Sequence, residues 1–478
     1  MNDLPSDLPR CEGTTLSSSA GNPAGAGTGQ AAPGNGHERR GRGTPSIWRH
    51  RPFVVLWLAR IVSVTGGMAS MMAMQWWVLD VTGSAQAMAA LGALFTVVVA
   101  AVSLPAGVWV DRLHRGRLFL ALELARGVLM AALAAALFSG RATIPLVFTL
   151  LALDAAAMAL FMPLSTAIWP ELIPTAQLTA ANALVAAGEN VGRIAGPALG
   201  GMLAARHAGW AAVADAVSYL LSAVAVLLAG ALGWSRPARP AAGTPVAAGV
   251  TPTRSSFREE VLSGLRVVFG RQDLAAFFIL VSFLNLTFGA AFVLIPVLGR
   301  DVLQAGPQGL GWLQAAMAAG GLAAGALAGW RSIPASTPLF MGLLLAEAGL
   351  MGALGWFPTL AVNCGLLFLV GAANALVNTL ALTALQWMIP AELRGRVFGL
   401  LFTFAMVLQP LGQLAGGALA DRFPLPYVFA GAGLSVVAVL AVAWVRAPEL
   451  RDIVERARQA GGIVEAGNGS PTATPVHG

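Results

Sequence analysis

From Phe53 to Val445 the chain is a succession of apolar runs separated by short polar breaks, and each run has the roughly twenty residues that a helix needs to cross about 30 Å of hydrocarbon. Twelve such runs are read, at 53–79, 86–110, 117–138, 143–168, 179–205, 209–233, 274–299, 308–330, 338–356, 358–387, 396–420 and 426–445. None shows the strict apolar/polar alternation of a barrel strand. Inside hydrocarbon a backbone must satisfy its own N–H and C=O groups, so helices are expected throughout. One break is long: residues 234–272 are rich in Pro, Ala and Gly, then place Phe257, Val261, Leu262, Leu265 and Val268 at helical spacing, the pattern of an amphipathic helix lying on a membrane surface.

A shift of 216 positions lays segment 5 on segment 11 without a gap. Ile173-Pro174 falls on Ile389-Pro390, Leu184 on Leu400, Gly196 on Gly412, Gly200-Gly201 on Gly416-Gly417 and Arg206 on Arg422. The repeat predicts an all-α integral membrane protein of twelve transmembrane helices in two pseudo-symmetric six-helix halves. The expected division is a low-complexity tail (1–47), a first half (48–233), a cytoplasmic linker with its amphipathic helix (234–272), a second half (273–446) and a C-terminal tail (447–478).

Composition agrees: 57% of the 478 residues are hydrophobic and only 11% are charged, against about a quarter charged in soluble domains. All 29 basic residues are arginine, a bias of base composition and not a nucleic-acid patch. Placing both termini in the cytoplasm puts twelve arginines in cytoplasmic loops and four, Arg141, Arg206, Arg300 and Arg422, outside, which is the positive-inside asymmetry. A multi-pass protein of a bacterial inner membrane is expected, with no signal peptide, working as a monomer in the lipid bilayer. Cys11 and Cys364 do not form a disulfide framework. A chain without lysine has no G-x-x-x-x-G-K-[ST] phosphate loop, and its five histidines are scattered singly. No enzyme, cofactor, metal site or nucleic-acid partner is therefore expected.

Two motifs carry more specific information. After segment 2 the chain reads GVWVDRLHRGR, with Gly107 four residues before Asp111 and then Arg112, Arg115 and Arg117. Segment 5 carries GRIAGPALGG, with Gly192, Gly196, Pro197, Gly200 and Gly201; small residues every fourth position make a stripe for close helix packing, and Pro197 frees a carbonyl. With Gln413 at the repeat position of Pro197, a bend is expected in segment 5 alone. The first motif resembles the loop 2–3 signature of the major facilitator superfamily, with His114 for a glycine and Gly116 interrupting the last basic pair. The second resembles that superfamily's exporter-associated core, with Ala183 in place of an upstream glycine. Phrases across residues 50–445, among them VLDVTGSAQAMAALG, DAVSYLLSA and LQWMIPAELRGRVFGL, are similar to the branch of enterobactin exporters and macrolide efflux proteins, the transmembrane secretion effector type. The resemblance implies the major facilitator fold, a conformational latch at Gly107, Asp111, Arg112 and Arg115, and efflux of a small-molecule substrate of drug or siderophore class in exchange for protons. It departs at Gly66-Gly67, where the branch often has Gly-Asp, so a segment 1 carboxylate is not the proton site here.

Ionisable groups inside spanning segments are costly and mark function by default. They are Arg60, Glu123, Arg126, Asp154, Glu189, Arg193, Asp215 and Glu347. Glu123 and Arg126, placed near the inner end of segment 3, and Asp215, near the outer end of segment 6, read as interfacial. Glu189 and Arg193 lie four apart with the acid first, the favourable order for a pair on one helix face, and their repeat partners are the uncharged Ala405 and Gln409. Arg193 is therefore the expected ion-pair partner of Glu189. Glu189, Asp154 and Glu347 are the proton-coupling candidates, the last two being mid-segment and unpaired by local sequence. Met158, Phe161, Met162, Trp169, Asn285, Asn363, Asn374 and Asn378 are possible cavity residues, but such side chains more often face lipid or neighbouring helices. Import of a small solute on the same fold, or a non-transporting membrane sensor or assembly protein, remain the alternatives to efflux.

Overall fold

The computed structural model describes residues 47–234, 265–266, 268–331, 334–389, 391–446, 451–452 and 454–455, without the side chains of 104–105, 107–109, 111–112, 233–234, 391–396 and several of 399–406. The tail 1–46 and most of the predicted amphipathic linker helix lie outside the described residues; at its end Leu265 and Val268 are helical and Val268 is buried. Among the described residues twelve helices of sixteen residues or more follow one another: α1 Arg51–Thr82, α2 Ala85–Arg112, α3 Arg115–Phe138, α4 Ile144–Leu172, α5 Leu178–Ala204, α6 Ala208–Ala229, α7 Gln272–Phe292, α8 Gly306–Trp330, α9 Thr337–Gly352, α10 Leu360–Met388, α11 Ala391–Ala420 and α12 Leu425–Arg446. Each coincides with one predicted segment.

The boundaries follow local chemistry. Pro52 starts α1, where a missing N–H costs nothing, and Gly83 ends it at φ 65°, a left-handed conformation open to glycine. Ser84 then caps α2 by accepting from the Ala87 N–H. Nine helices are long and apolar enough to cross a membrane among the described residues; α9 is apolar but shorter, and the polar centre of α5, Glu189, Asn190 and Arg193, keeps it out of that set.

Close packing rests on backbone approach at small residues, since lipid offers helices no hydrophobic drive to associate. Along α5, Gly192, Gly196 and Gly200 face Val64, Met68 and Ala69 of α1. Along α11, Gly412 and Gly416 face Leu286 and Ala290 of α7 in the same way. One position further, Gly201 meets Pro307 and Gln308 at the start of α8, and Gly417 meets Ala85 and Gln86 at the start of α2. The 216-residue repeat is thus a repeat of contacts: within each half a glycine pair seats the fifth helix on the first, and the next glycine touches the other half. A proline also lies inside α11, at Pro410, so α5 is not alone in interrupting its hydrogen-bond ladder, contrary to the expectation drawn from Gln413.

The halves meet where α5 packs on α8 and α2 on α11, at the helix ends joined by the 1–2, 5–6, 7–8 and 11–12 connections. Polar contacts reinforce this end. Asp421 accepts from the N–H groups of Ala85 (2.7 Å) and Gln86 (3.2 Å) and from the Ser84 hydroxyl (2.7 Å), placing an anion on the positive end of α2. Arg300 donates to the Leu79 carbonyl in the last turn of α1 at 2.9 Å, a cation on a negative end. Gln314 donates to Gln75 at 3.2 Å.

Candidate functional site

A cavity of about 300 Å³ lies in the first half, walled by α1, α2, α4 and α5 with α3 and α6 behind. Its apolar lining is methionine and phenylalanine, including Met68, Met158, Met162, Phe95 and Phe161, flexible and polarisable surfaces that adapt to varied apolar shapes. Two arginine–carboxylate pairs stand in the wall. Arg60 of α1 donates through Nε (2.9 Å) and Nη2 (2.7 Å) to Oε1 of Glu189 on α5, with its guanidinium 5.1 Å from the Phe161 ring centre. Arg126 of α3 holds Asp154 of α4 bidentately, Nε to Oδ1 at 2.8 Å and Nη2 to Oδ2 at 3.2 Å, and lies 4.2 Å over the Tyr219 ring. The second pair is almost fully buried, with side chains 7% and 9% exposed, whereas the first is partly open at 19% and 27%.

Two more carboxyls surround Arg126. Asp215 of α6 is buried beside Ser218, whose hydroxyl donates to the Asp215 main-chain carbonyl at 2.8 Å and lies 3.3 Å from Oδ1. Glu123 is fully buried one turn before Arg126; Ser222 approaches it, but neither oxygen is hydrogen-bonded at standard geometry. Gly66 and Gly67 make room for this group: a Cβ at Gly66 would stand 2.5 Å from the Ser218 hydroxyl and 3.0 Å from Asp215 Oδ1. Where segment 1 lacks a carboxylate, one from α6 stands against the same spot.

The structure therefore revises several sequence expectations. Glu189 is paired with Arg60 across two helices and not with Arg193 on its own helix; Arg193 lines the cavity with no ion pair or hydrogen bond among the described residues. Asp154, unpaired in its local sequence, is held by Arg126. Glu123, Arg126 and Asp215 are interior groups and not interfacial ones. Each had been marked by its rarity inside an apolar run, and opposite charges on different runs were the signal that could have matched them.

Glu347 is elsewhere. It is fully buried on α9 of the second half, accepting from Asn374 Nδ2 of α10 at 2.9 Å through one oxygen, while the other has no partner. The second half has a cavity of its own, about 490 Å³ between α7, α11 and α12, lined by apolar residues such as Phe283, Leu286, Leu419 and Val428 with few polar groups. The predicted latch residues Gly107, Asp111 and Arg112 close α2, and their side chains lie outside the described residues. Arg115 is described and pairs with Glu171 at the end of α4, within its own half. Of the α5 motif, Gly192, Gly196 and Gly200 seat α5 on α1, while Gly201 and the Pro197 carbonyl, which meets Gly311, contact α8.

The profile of the Major Facilitator Superfamily matches residues 56–412. The chain belongs to that superfamily. It is similar to the multidrug efflux pump Tap of Mycobacterium tuberculosis, at 27% identity over 419 residues, covering 84% of this chain and 94% of that one. It is also similar to macrolide efflux protein A of Streptococcus pyogenes, at 23% over 397 residues, covering 82% and 94%. Among solved structures, a bacterial homologue of the iron transporter ferroportin in an inward-facing state aligns with TM-score 0.60 and 17% identity over 83% of this chain and 99% of that one, a likeness of fold. As a major facilitator protein the chain is a multi-pass membrane transporter for a small molecule and not an enzyme, and the twelve-helix architecture is that of the superfamily.

Proposed function

We propose that this transporter expels a small amphipathic molecule of drug or siderophore class from the cytoplasm by proton-coupled alternating access. The observation that carries the reading is the first-half cavity, in which adaptable Met and Phe walls surround two arginine–carboxylate pairs that a proton can open. Similarity to multidrug and macrolide efflux proteins supports export over import, as does the Gly-Pro stripe of α5. Neutralising Glu189 or Asp154 releases Arg60 or Arg126, so proton and substrate bias one two-state equilibrium in opposite senses, which is the linkage that antiport needs. Glu347 is the remaining coupling candidate, through its bond to Asn374. With both termini cytoplasmic, the end held by Asp421 and Arg300 is the outer one, and this conformation is closed toward the outside. Asp111 with Arg112 and Arg115 then latches the inner end in the alternate state. The chain divides functionally into the two six-helix halves 48–233 and 273–446, joined by the cytoplasmic linker 234–272.

The test is uptake of a panel of amphipathic drugs, a macrolide among them, by inside-out vesicles with an acidified lumen. Uptake should require the gradient, and Glu189→Gln, Asp154→Asn or Glu347→Gln should uncouple it. Accumulation that persists in all three variants would remove these carboxyls from the proton path, and wild-type transport indifferent to collapse of the gradient would remove proton antiport itself.

A further inference from the structure

We infer that Arg193 is the anchor for an acidic group on the transported molecule, so that the first-half cavity selects small amphipathic anions, with a carboxylate, phosphate or sulfonate on an apolar body. The inference rests on the transporter reading above and narrows its substrate class.

Arginine keeps its charge in proteins, and a charged side chain at membrane depth stands only where it has a partner or lines a wet cavity. Arg60 and Arg126 have their carboxylates, Glu189 and Asp154. Arg193 has neither an ion pair nor a hydrogen bond among the described residues, is exposed, and lines the cavity. The nearest acid in sequence, Glu189 one turn before it, is already engaged from α1. Two further acids line the cavity: Asp154 is in its bidentate pair, and Asp215 is 2% exposed beside Ser218, while Glu123 is fully buried one turn before Arg126. A molecule in the cavity therefore meets two internally paired arginines, the almost wholly buried carboxyl of Asp215, and one exposed guanidinium without a partner among the described residues.

The fold does not call for this charge. The repeat position on α11 is Gln409, and α11 is seated on α7 by the same glycine pair that seats α5 on α1. A guanidinium presents a planar fork of donors matched to carboxylate, phosphate or sulfonate oxygens, and charge-assisted bonds of that kind are about twice as strong as neutral ones. Met158 and Met162 of α4, which line the same cavity, supply contact for the apolar body.

Binding to the purified full-length protein tests this with probes that share one aromatic body: 1-naphthylacetate, 1-naphthyl phosphate and 1-naphthalenesulfonate against 1-naphthylmethylammonium, titrated by calorimetry. The anions should bind more tightly than the cation. Arg193→Gln should weaken them about tenfold or more, the loss of hydrogen bonds to a charged group, without weakening the cation, while Arg193→Lys should retain part of the anion affinity. Equal affinity for both charges, no anion binding, or an Arg193→Gln variant that binds the anions like wild type would overturn the assignment. Wild-type vesicles that transport cationic drugs and ignore every anion would overturn it while leaving the transporter reading intact. Anion binding that depends on Arg193 in a protein that moves none of the probes or drugs would uphold the anchor and count against the transport reading.

Discussion

The two halves share a packing plan and differ in what they bury. In both, the fifth helix of the half is seated on the first by a glycine pair and touches the other half through the next glycine, at Gly196, Gly200 and Gly201 and at Gly412, Gly416 and Gly417. In both, the third and fourth helices are joined by a buried polar contact. In the first half that contact is the Arg126–Asp154 ion pair, with Glu123 and Asp215 around it. In the second it is a single hydrogen bond, Asn374 to Glu347, and the cavity is apolar. The packing plan thus needs small residues at fixed places, whereas ion pairs between membrane-spanning helices occur in the first half alone among the described residues.

The largest expected effect breaks this comparison at its buried contacts. Arg126→Ala leaves Asp154, Glu123 and Asp215 in the interior without their cation, and loss of one partner of a buried pair costs about 3–5 kcal/mol. Glu347→Gln keeps a hydrogen-bonding side chain opposite Asn374 and should cost less than about 1 kcal/mol. Thermal unfolding in detergent should therefore lower the midpoint sharply for the first variant and little for the second. Similar losses in the two would mean that the halves do not differ as described.

A smaller set of effects separates packing within a half from contact between halves. Gly200→Leu intrudes on the Ala69 backbone and should reduce the folded amount of protein; Gly201→Leu pushes on Pro307 across the inter-half contact and should leave the protein folded but hinder closure of that end. Gly416→Leu and Gly417→Leu should repeat the pattern. Cysteine labelling near Gln75 and Gln314 should rise in the Gly201 and Gly417 variants, and unchanged labelling would count against a gating contact there.

The smallest effect concerns the second half alone. Glu455, beyond α12, accepts from the N–H and hydroxyl of Thr337 at the start of α9, and Val454 beside it is buried. Desolvation pushes the Glu455 carboxyl up, but the Thr337 hydrogen bonds outweigh it and hold the group below the usual carboxylate range. A depressed folded value contributes attachment that is complete above the unfolded pKa of about 4.3 and is lost as pH falls through the folded value. Release of the segment, followed by proteolysis, should begin only below about pH 4. Glu455→Gln should remove the pH dependence, and a release midpoint near neutrality would refute this account.

Helix number, helix limits and the repeat were legible in the sequence because hydropathy and glycine spacing are local properties that lipid enforces directly on each segment. The eight intramembrane charges were equally legible as exceptions. Their partners were not. The i,i+4 rule joined Glu189 to Arg193, an interaction worth about 0.5 kcal/mol on an isolated helix, but the α5 glycines bring α1 close enough for Arg60 to reach Glu189 with two charge-assisted hydrogen bonds. Likewise Arg126 and Asp154, 28 residues apart, meet because α3 and α4 are neighbours, and Asp215 belongs to their group because Gly66 lets α6 approach α1. The chain by itself determined which charges enter the membrane; the packing of helices decided which neutralise one another and which cation, Arg193, is left on the cavity unpaired among the described residues, because electrostatic pairing depends on distances in space that no spacing along a single helix encodes.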